Sequence, residues 1–190
     1  MRTALIVIDL INDIVHPDGA LAASATEVAS RGVIARANAL AARARQVGVP
    51  VVLVRVGFQP GYPNHPDHSP LFGPARQKGA LLLGTWGTQF HRDLAIDPTD
   101  IVVVKPRVSA FHATTLADTL AGWGTGRLVI CGVSTEMGVL TTARDAHDFD
   151  FHVVVAADVC ASASPTLHEA ALAMLARTGE VLQSNVISFD

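Results

Sequence analysis

Short runs rich in valine and isoleucine recur along the chain, and they constrain its fold more than any other feature. Most of them are apolar throughout, which is typical of strands that are covered on both faces in a parallel sheet. The predicted strands span residues 4–8, 51–56, 101–104, 128–130, 153–156 and 181–187. Helical patterns lie between them, at residues 26–46, 115–122, 139–148 and 165–177. This alternation predicts an α/β fold with a doubly wound sheet and right-handed crossovers.

Residues 57–78 interrupt this rhythm. The segment contains five prolines, which preclude any long helix or central strand: Pro60, Pro63, Pro66, Pro70 and Pro74. A loop of this length within a domain is usually a lid, a binding wall or an interface. Because the 190 residues contain no internal repeat or linker, we expect a single domain over residues 1–190.

The composition excludes several classes of protein. Hydrophobic residues make up 49% of the chain and charged residues 16%, which indicates a compact globule. Lys and Arg total 14 against 17 Asp and Glu without a basic run, so we expect no nucleic-acid partner. The apolar runs are far shorter than the ~18 residues that span a bilayer, and no signal peptide is recognisable, so we expect a cytoplasmic protein without a membrane partner. The high apolar content and the long loop favour a homodimer or larger homo-oligomer.

The two cysteines, Cys131 and Cys160, are too few for a disulfide framework and lack a Cys-x-x-Cys spacing for zinc. We expect both to be reduced, buried thiols. His65, Asp67 and His68 lie close together in the proline-rich loop, but we interpret them as part of a solvated loop and predict no metal site.

Ligands of parallel sheets bind beyond the carboxyl ends of the strands. The predicted strands end near Asp9, Phe58, Lys105 and Ser134, so an acid, a base and a small-residue turn should meet at one edge. We expect three aromatic side chains to form pocket walls there and to bind substrate, namely Phe58, Trp86 and Phe111. The chain has no GxGxxG after the first strand, no P-loop and no GxSxG, so we expect neither a bound cofactor nor a serine nucleophile.

Three stretches carry a resemblance to a known family. They are ALIVIDL, which ends after Asp9; VVVKPRVSAF, which contains Lys105; and ICGVSTEMGVLTTARDA, which contains Gly138. Together they resemble the isochorismatase-like hydrolases of the cysteine hydrolase superfamily, over nearly the whole chain. The resemblance implies a three-layer sandwich around a central sheet of six parallel strands, a small-molecule substrate, and a cis peptide between Val133 and Ser134.

One position separates the chemical branches of this family. The amidase branch resembles GVxTxxCVxxTAxDA, with a cysteine nucleophile where this chain has Gly138, whereas the isochorismatase branch carries glycine there. The resemblance therefore implies a hydrolase without a cysteine nucleophile. Cys131 and Cys160 do not replace it, since neither is predicted to lie in the electropositive, accessible place that a reactive thiolate needs.

The resemblance to the isochorismatase branch implies the cleavage of a vinyl ether. Asp9 would act as the general acid beside Lys105, and amides near Met137 and Gly138 would hold a carboxylate or oxyanion. Ser134 and Thr135 are further candidates for binding the substrate. Isochorismatases resemble KWRYSAFF and GVYAHIGC, whereas this chain has KPRVSAFH and GVSTEMGV, so Glu136 could repel an anionic substrate or serve as a second acid.

Two alternatives remain open at this stage. In one, the protein is a catalytically inactive ligand-binding member of the family, in which Asp9 and Lys105 persist as an ion pair. In the other, Asp9 activates water to hydrolyse an amide or ester. The first predicts binding without turnover, and the second predicts hydrolysis of amides but not of enol ethers.

Overall fold

A computed structural model describes residues 1–189 and contains one six-stranded sheet in which all neighbouring strands are parallel. The strands, in chain order, are β1 (Arg2–Ile8), β2 (Val51–Val56), β3 (Ile101–Lys105), β4 (Thr125–Val133), β5 (His152–Ala161) and β6 (Glu180–Leu182). Their order across the sheet is β3-β2-β1-β4-β5-β6. Helices flank this sheet, so the predicted fold class is confirmed.

The helices fall between the strands as the pattern predicts. They are α1 (Asn12–Val15), α2 (Ala25–Ser30), α3 (Val33–Gln46), α4 (Gly73–Gln77), α5 (Leu116–Gly122), α6 (Leu140–Asp148) and α7 (Pro165–Leu175). The single helix predicted over residues 26–46 is two helices, α2 and α3. Gly32 separates them with a left-handed φ of 61°, a conformation that glycine adopts without a steric penalty.

The last three strands differ in length from the prediction. β4 extends beyond both ends of the predicted run 128–130. β5 continues to Ala161, past Ala156 at which the predicted strand ends, and therefore includes Cys160. Its register against β4 shifts between Ile130 and Gly132, so the pairing resumes beyond an irregularity that a local pattern does not reveal. β6 ends at Leu182, and Ser184–Val186 form a short 3-10 helix instead of continuing the strand.

Consecutive residues of β1, β4 and β5 are buried, which requires both faces of the sheet to be covered. The proline-rich segment contains only the short helix α4, in agreement with its prolines. Apolar side chains of this segment pack with residues after β1 and β2 into a second, smaller cluster that includes Ile11, Phe58, Phe72 and Leu81. No helix in residues 1–189 is long and apolar enough to cross a membrane.

Candidate active site

A buried ion pair lies at the carboxyl edge of the sheet. Asp9 directly follows β1, Lys105 ends β3, and Asp9 Oδ2 lies 2.8 Å from Lys105 Nζ. Asp9 is 4% exposed and Lys105 is 2% exposed. The other carboxylate oxygen, Asp9 Oδ1, accepts the Val56 N–H at 2.7 Å from the end of β2. Three neighbouring strands therefore fix the orientation of this carboxyl group.

The ammonium of Lys105 is held by the protein on every side. Besides its contact with Asp9, Nζ donates to the Val108 carbonyl at 2.9 Å and to the Arg107 carbonyl at 3.2 Å. A lysine ammonium has three N–H donors, so these three acceptors account for all of them. Lys105 therefore serves as a fixed positive charge beside Asp9.

Burial raises the pKa of Asp9 above its ordinary value, because removing the carboxylate from water disfavours its charged form. The Lys105 charge, its hydrogen bond and the Val56 N–H lower the pKa but offset the burial only in part. The protonated acid is therefore more populated near neutral pH than in an ordinary aspartate. This is the form that can donate a proton.

The turn after β4 brings Gly138 against this acid. The Val133–Ser134 peptide is cis, and Thr135–Val139 form one π-helical turn that leads into α6. A Cβ atom built on Gly138 would lie 3.5 Å from Asp9 Oδ2, and 3.0 Å from both Ile8 Cγ2 and the Val133 carbonyl oxygen. A side chain at position 138 would therefore contact the carboxyl group directly.

A cavity of about 430 Å³ opens at this site. Asp9, Lys105, Ser134, Glu136 and Gly138 contribute to its lining. Its remaining walls are mostly apolar and come from several segments. The segment after α1 contributes Ala20, Leu21, Ala22, Ala23 and Ser24, the proline-rich loop contributes Leu71, Phe72 and Lys78, and the other lining residues are Ile14, Val56, Leu81, Val108, Met137 and Ala163. A mainly apolar pocket with a few convergent polar groups is the usual form of a small-molecule site.

Another hollow, of about 480 Å³, lies at the opposite edge of the sheet, where β1 and β4 begin. It is lined by Arg2 and Trp123, among others, and among residues 1–189 no aspartate, glutamate or cysteine contributes to its lining. It therefore lacks the acid–base groups that the smaller cavity contains.

Four of the side chains expected to bind substrate lie outside the cavity lining. Thr135 is fully buried beneath the turn, and its Oγ1 lies 2.8 Å from His168 Nδ1. Phe58 packs against His65 and Phe72 in the smaller apolar cluster. In each case the backbone reaches the carboxyl edge as expected, but the side chain points into a neighbouring packed layer.

The other two aromatic residues are displaced further. Trp86 is 47% exposed and meets the His16 ring edge-on, with 5.0 Å between the ring centroids. Phe111 is buried in the main core beside Phe149 and Phe151. Of the predicted substrate-binding residues, Ser134 lines the cavity.

Sequence reasoning missed the wall formed by residues 20–24. Gly19 permits it: a Cβ there would lie 2.2 Å from the Asn12 carbonyl oxygen, so only glycine lets the chain turn back this closely over α1. The glycine in the stretch HPDGALAAS is the one local signal for such a turn. The proline-rich loop does supply part of the wall, through Leu71, Phe72 and Lys78.

Neither cysteine contributes to the cavity lining. Cys131 lies within β4 and Cys160 within β5, and each is fully buried. Burial raises the pKa of Cys131 well above its usual range and the pKa of Cys160 to about 12. Both side chains therefore remain protonated and unreactive at neutral pH.

The histidines of the proline-rich loop differ from each other. His68 is exposed, but His65 is buried, contrary to the expectation of a solvated loop. His65 Nδ1 lies 2.9 Å from Asp67 Oδ1 and Nε2 lies 2.7 Å from the Phe72 carbonyl oxygen. Both ring nitrogens therefore have a hydrogen-bond partner within the protein. Within residues 1–189, no three His, Cys, Asp or Glu side chains are grouped so that they could hold a metal ion.

Comparison with known proteins identifies the family of this chain. The Isochorismatase domain model matches residues 3–186. The chain is 36% identical over 166 residues to the uncharacterized isochorismatase family protein YecD of Escherichia coli O157:H7, covering 87% of this chain and 83% of that protein. It is also 36% identical over 185 residues to the ureidoacrylate amidohydrolase RutB of Methylobacterium radiotolerans, covering 90% and 72%.

Among solved structures, the nicotinamidase PncA of Bacillus subtilis superposes with a TM-score of 0.82 at 27% identity, covering 96% of this chain and 100% of that one. The family model and this structural neighbour both span nearly the whole chain. The chain belongs to the isochorismatase family and is a hydrolase of the isochorismatase-like kind.

Proposed function

We propose that this protein hydrolyses a small molecule without a covalent thiol intermediate and that Asp9 is its general acid. The observation that carries the proposal is that the buried Asp9 carboxyl, whose pKa is raised, faces glycine at position 138, while both thiols lie inside the sheet. Lys105 provides the fixed counter-charge for the carboxylate that remains after proton transfer. Gly138 leaves the space beside Asp9 to the substrate.

Cleavage of a vinyl ether is the most concrete form of this chemistry. Asp9 donates its proton to the terminal carbon of an enolpyruvyl ether, which gives an oxocarbenium ion. Water adds to the cationic carbon, and its released proton returns to the Asp9 carboxylate. The hemiketal then collapses to pyruvate and an alcohol, and the hydroxyl proton passes to the leaving oxygen.

The groups that line the cavity have different roles in this reaction. General acid catalysis contributes about 10²- to 10⁴-fold, and oriented dipoles and positioning supply the remainder. Ser134, which lines the cavity, and the backbone of the Thr135–Val139 turn are placed to orient polar atoms of the substrate. Lys105, with all its donors engaged, acts on Asp9 and not directly on the substrate.

Hydrolysis of a C–N bond is the second candidate, and the relatives favour it. RutB is named as a ureidoacrylate amidohydrolase and PncA as a nicotinamidase. In this chain such a reaction would use ionised Asp9 as a base that activates water, with Lys105 favouring the ionised form. The two candidates therefore require opposite protonation states of the same carboxyl group.

A substrate panel separates the candidates. The purified protein is incubated with isochorismate, ureidoacrylate and nicotinamide, and pyruvate and ammonia are measured. We expect release of pyruvate from isochorismate and its loss in Asp9→Asn. Turnover of the two amides alone would replace the first candidate with the second. Ligand binding without turnover of any of the three would identify the protein as a binding member of the family.

Gly138→Ala and Gly138→Cys test the role assigned to position 138. Both add a Cβ that contacts Ile8 and Val133, so they share the same crowding, but only cysteine adds a thiol beside Asp9. We expect both variants to lose the native activity, and the cysteine variant alone to react rapidly with iodoacetamide. Slow alkylation of Gly138→Cys, at the rate of the buried native thiols, would show that position 138 is not the nucleophile position.

We also infer a homodimer or larger assembly. β3 is an edge strand of the sheet, and its Ile101 and Val102 side chains are 39% and 45% exposed. An edge strand with exposed apolar side chains is prone to pair with another surface. Sedimentation equilibrium of the wild type and of Val102→Lys tests this, since the lysine variant should dissociate if β3 forms the interface.

A further inference from the structure

Glu136 brings an unpaired charge into the cavity. It lies on the same turn as Gly138 and contributes to the cavity lining. Within residues 1–189, no lysine, arginine or histidine nitrogen lies within ion-pair distance of its carboxylate, whereas Asp9 in the same cavity is paired with Lys105. The Glu136 carboxylate is therefore available to pair with a cationic or N–H group of a ligand.

A buried hydroxyl fixes the direction of this carboxylate. Ser162, which is 1% exposed, donates its hydroxyl hydrogen to Glu136 Oε2. Oε1 accepts no hydrogen bond from residues 1–189, and it is not among the solvent-inaccessible polar atoms that lack a partner. One oxygen is thus anchored while the other stays open to a donor, which is the arrangement of a preorganised acceptor.

Neither lysine of the cavity lining is paired with Glu136. Lys105 is committed to Asp9 and to two backbone carbonyls. The Lys78 side chain lies at an exposed position of the rim, and its ammonium donates to the Ala20 carbonyl at 3.2 Å. A carboxylate placed next to Glu136 would therefore meet a like charge, and an N–H donor would meet an open acceptor.

We propose that Glu136 is a specificity-determining residue that selects substrates bearing an ammonium, amidinium or amide N–H group on an apolar body over substrates bearing a carboxylate at that point. The proposal rests on the hydrolase function proposed above and concerns the part of the substrate that does not react. Isochorismate, whose ring bears a carboxylate and no N–H group, then tests the type of reaction, and a substrate whose body bears an N–H donor should be turned over faster. The apolar walls formed by Leu21, Phe72 and Val108 would cover the body of such a ligand. A charge-assisted hydrogen bond to Glu136 would orient it.

Three probes of nearly the same shape test this selection, namely benzamidinium, benzamide and benzoate. Their dissociation constants are measured by titration calorimetry near neutral pH with the intact protein, its Glu136→Gln variant and a Glu169→Gln control. Glu169 is exposed and lies outside the cavity lining, so its variant removes the same unit of charge from the surface. Ser162→Ala tests the anchor without altering the charge.

We expect the wild type to bind benzamidinium most tightly and benzoate most weakly. Glu136→Gln should weaken benzamidinium binding about tenfold or more, in the range of a lost charge-assisted hydrogen bond, and should strengthen benzoate binding. Ser162→Ala should weaken benzamidinium binding by a smaller factor, and Glu169→Gln should reproduce the wild type within about twofold.

Two outcomes would overturn the proposal. The first is a wild type that binds benzoate as tightly as benzamidinium, or that binds neither at millimolar concentration. The second is a ratio of the two dissociation constants that is the same in Glu136→Gln and Glu169→Gln. Because binding is measured without turnover, these results are independent of the Asp9→Asn activity assay. A failure of the proposed hydrolysis is thereby distinguishable from a failure of this selection.

Discussion

Asp9 and Asp13 are two buried acids that follow the same strand, and their surroundings differ in kind. Asp9 is paired with the Lys105 ammonium and lines the cavity. Asp13 has no cation within ion-pair distance in residues 1–189; its Oδ2 accepts the Leu81 N–H at 2.6 Å and its Oδ1 the Ala20 N–H at 3.4 Å. Gly87 packs so closely against Asp13 that a Cβ there would lie 2.1 Å from Oδ2.

The difference separates an acid suited to chemistry from an acid suited to structure. Asp13 joins two cavity walls, because Ala20 and Leu81 both line the cavity and both donate to its carboxylate. Asp9 has an oxygen that faces Gly138 and the open space beside it. Burial is nearly the same for the two residues, at 4% and 5% exposure, so partners and access distinguish their roles better than burial does.

The largest expected effect is on catalysis at Asp9. Asp9→Asn removes the acidic carboxyl proton while keeping the shape, so kcat should fall by about 10²- to 10⁴-fold. Asp13→Asn keeps an acceptor for the Leu81 amide and should lower kcat by less than about tenfold. The test is to measure steady-state kinetics of the two variants with the substrate identified in the substrate panel. Equal losses would mean that Asp13 is part of the catalytic machinery or that Asp9 is not.

Removing the cation should have the largest effect on stability. Lys105→Met leaves the Asp9 carboxyl buried without its counter-charge, and we expect the free energy of unfolding to fall by about 3–5 kcal/mol. In the double variant Asp9→Asn/Lys105→Met no charge remains, so most of that loss should be recovered. Urea denaturation of the three variants measures both values. Additive losses in the double variant would argue against an energetically coupled pair.

Asp13→Ala should cost less stability than Lys105→Met. It leaves the Leu81 N–H without its acceptor, and an unsatisfied buried donor costs about 1–3 kcal/mol. Because the walls that contain Ala20 and Leu81 would no longer be joined, substrate binding should weaken and the Michaelis constant should rise as well. Urea denaturation and steady-state kinetics of this variant give both quantities. A variant as stable as the wild type would show that water replaces the carboxylate without penalty.

The pH dependence of stability sharpens the contrast at Asp9. Since the pKa of Asp9 is raised in the folded state, folding binds a proton, and the associated stabilisation is fully present below the ordinary aspartate pKa. It is lost as the pH rises through the pKa of the folded state. The free energy of unfolding of the wild type should therefore decline relative to that of Asp9→Asn across this window. A wild-type free energy of unfolding that instead rises with pH relative to that of Asp9→Asn would contradict the raised pKa.

The smallest expected effect is that of thiol reagents. Cys131 and Cys160 are fully buried with raised pKa values, so iodoacetamide near neutral pH should leave activity and stability unchanged. Mass spectrometry of the treated, folded protein should show no added group, and the same treatment in urea should label both cysteines. Rapid inactivation of the folded protein would implicate one of the two thiols.

The sequence was sufficient to predict much of this arrangement. Continuous apolar strands predict the parallel sheet, and the rule that ligands bind at strand ends points to Asp9, Lys105 and Ser134. The family resemblance points to Gly138, and the structure brings all four residues to one cavity. The first three are close to strand ends, so the topology itself fixes their positions.

Features that depend on packing between distant segments were not predictable in the same way. Phe58 and Phe111 follow or adjoin strand ends, yet each rotates into an apolar cluster formed by residues elsewhere in the chain. The wall over residues 20–24 depends on amides that Asp13 holds, and no local pattern encodes that contact. The extension of β5 likewise depends on its pairing with β4 beyond a register shift.

The register of β3 on β2 has a consequence for how this enzyme could be assayed during refolding. Lys105 is aligned with Val56, whose amide holds the same carboxyl group that Lys105 pairs with. A slip of one residue would send the lysine to the other face of the sheet. With Asp9 as the proposed general acid, turnover would require three strands from separate parts of the chain to be correctly aligned. Regained activity would then report native alignment more stringently than regained helicity does.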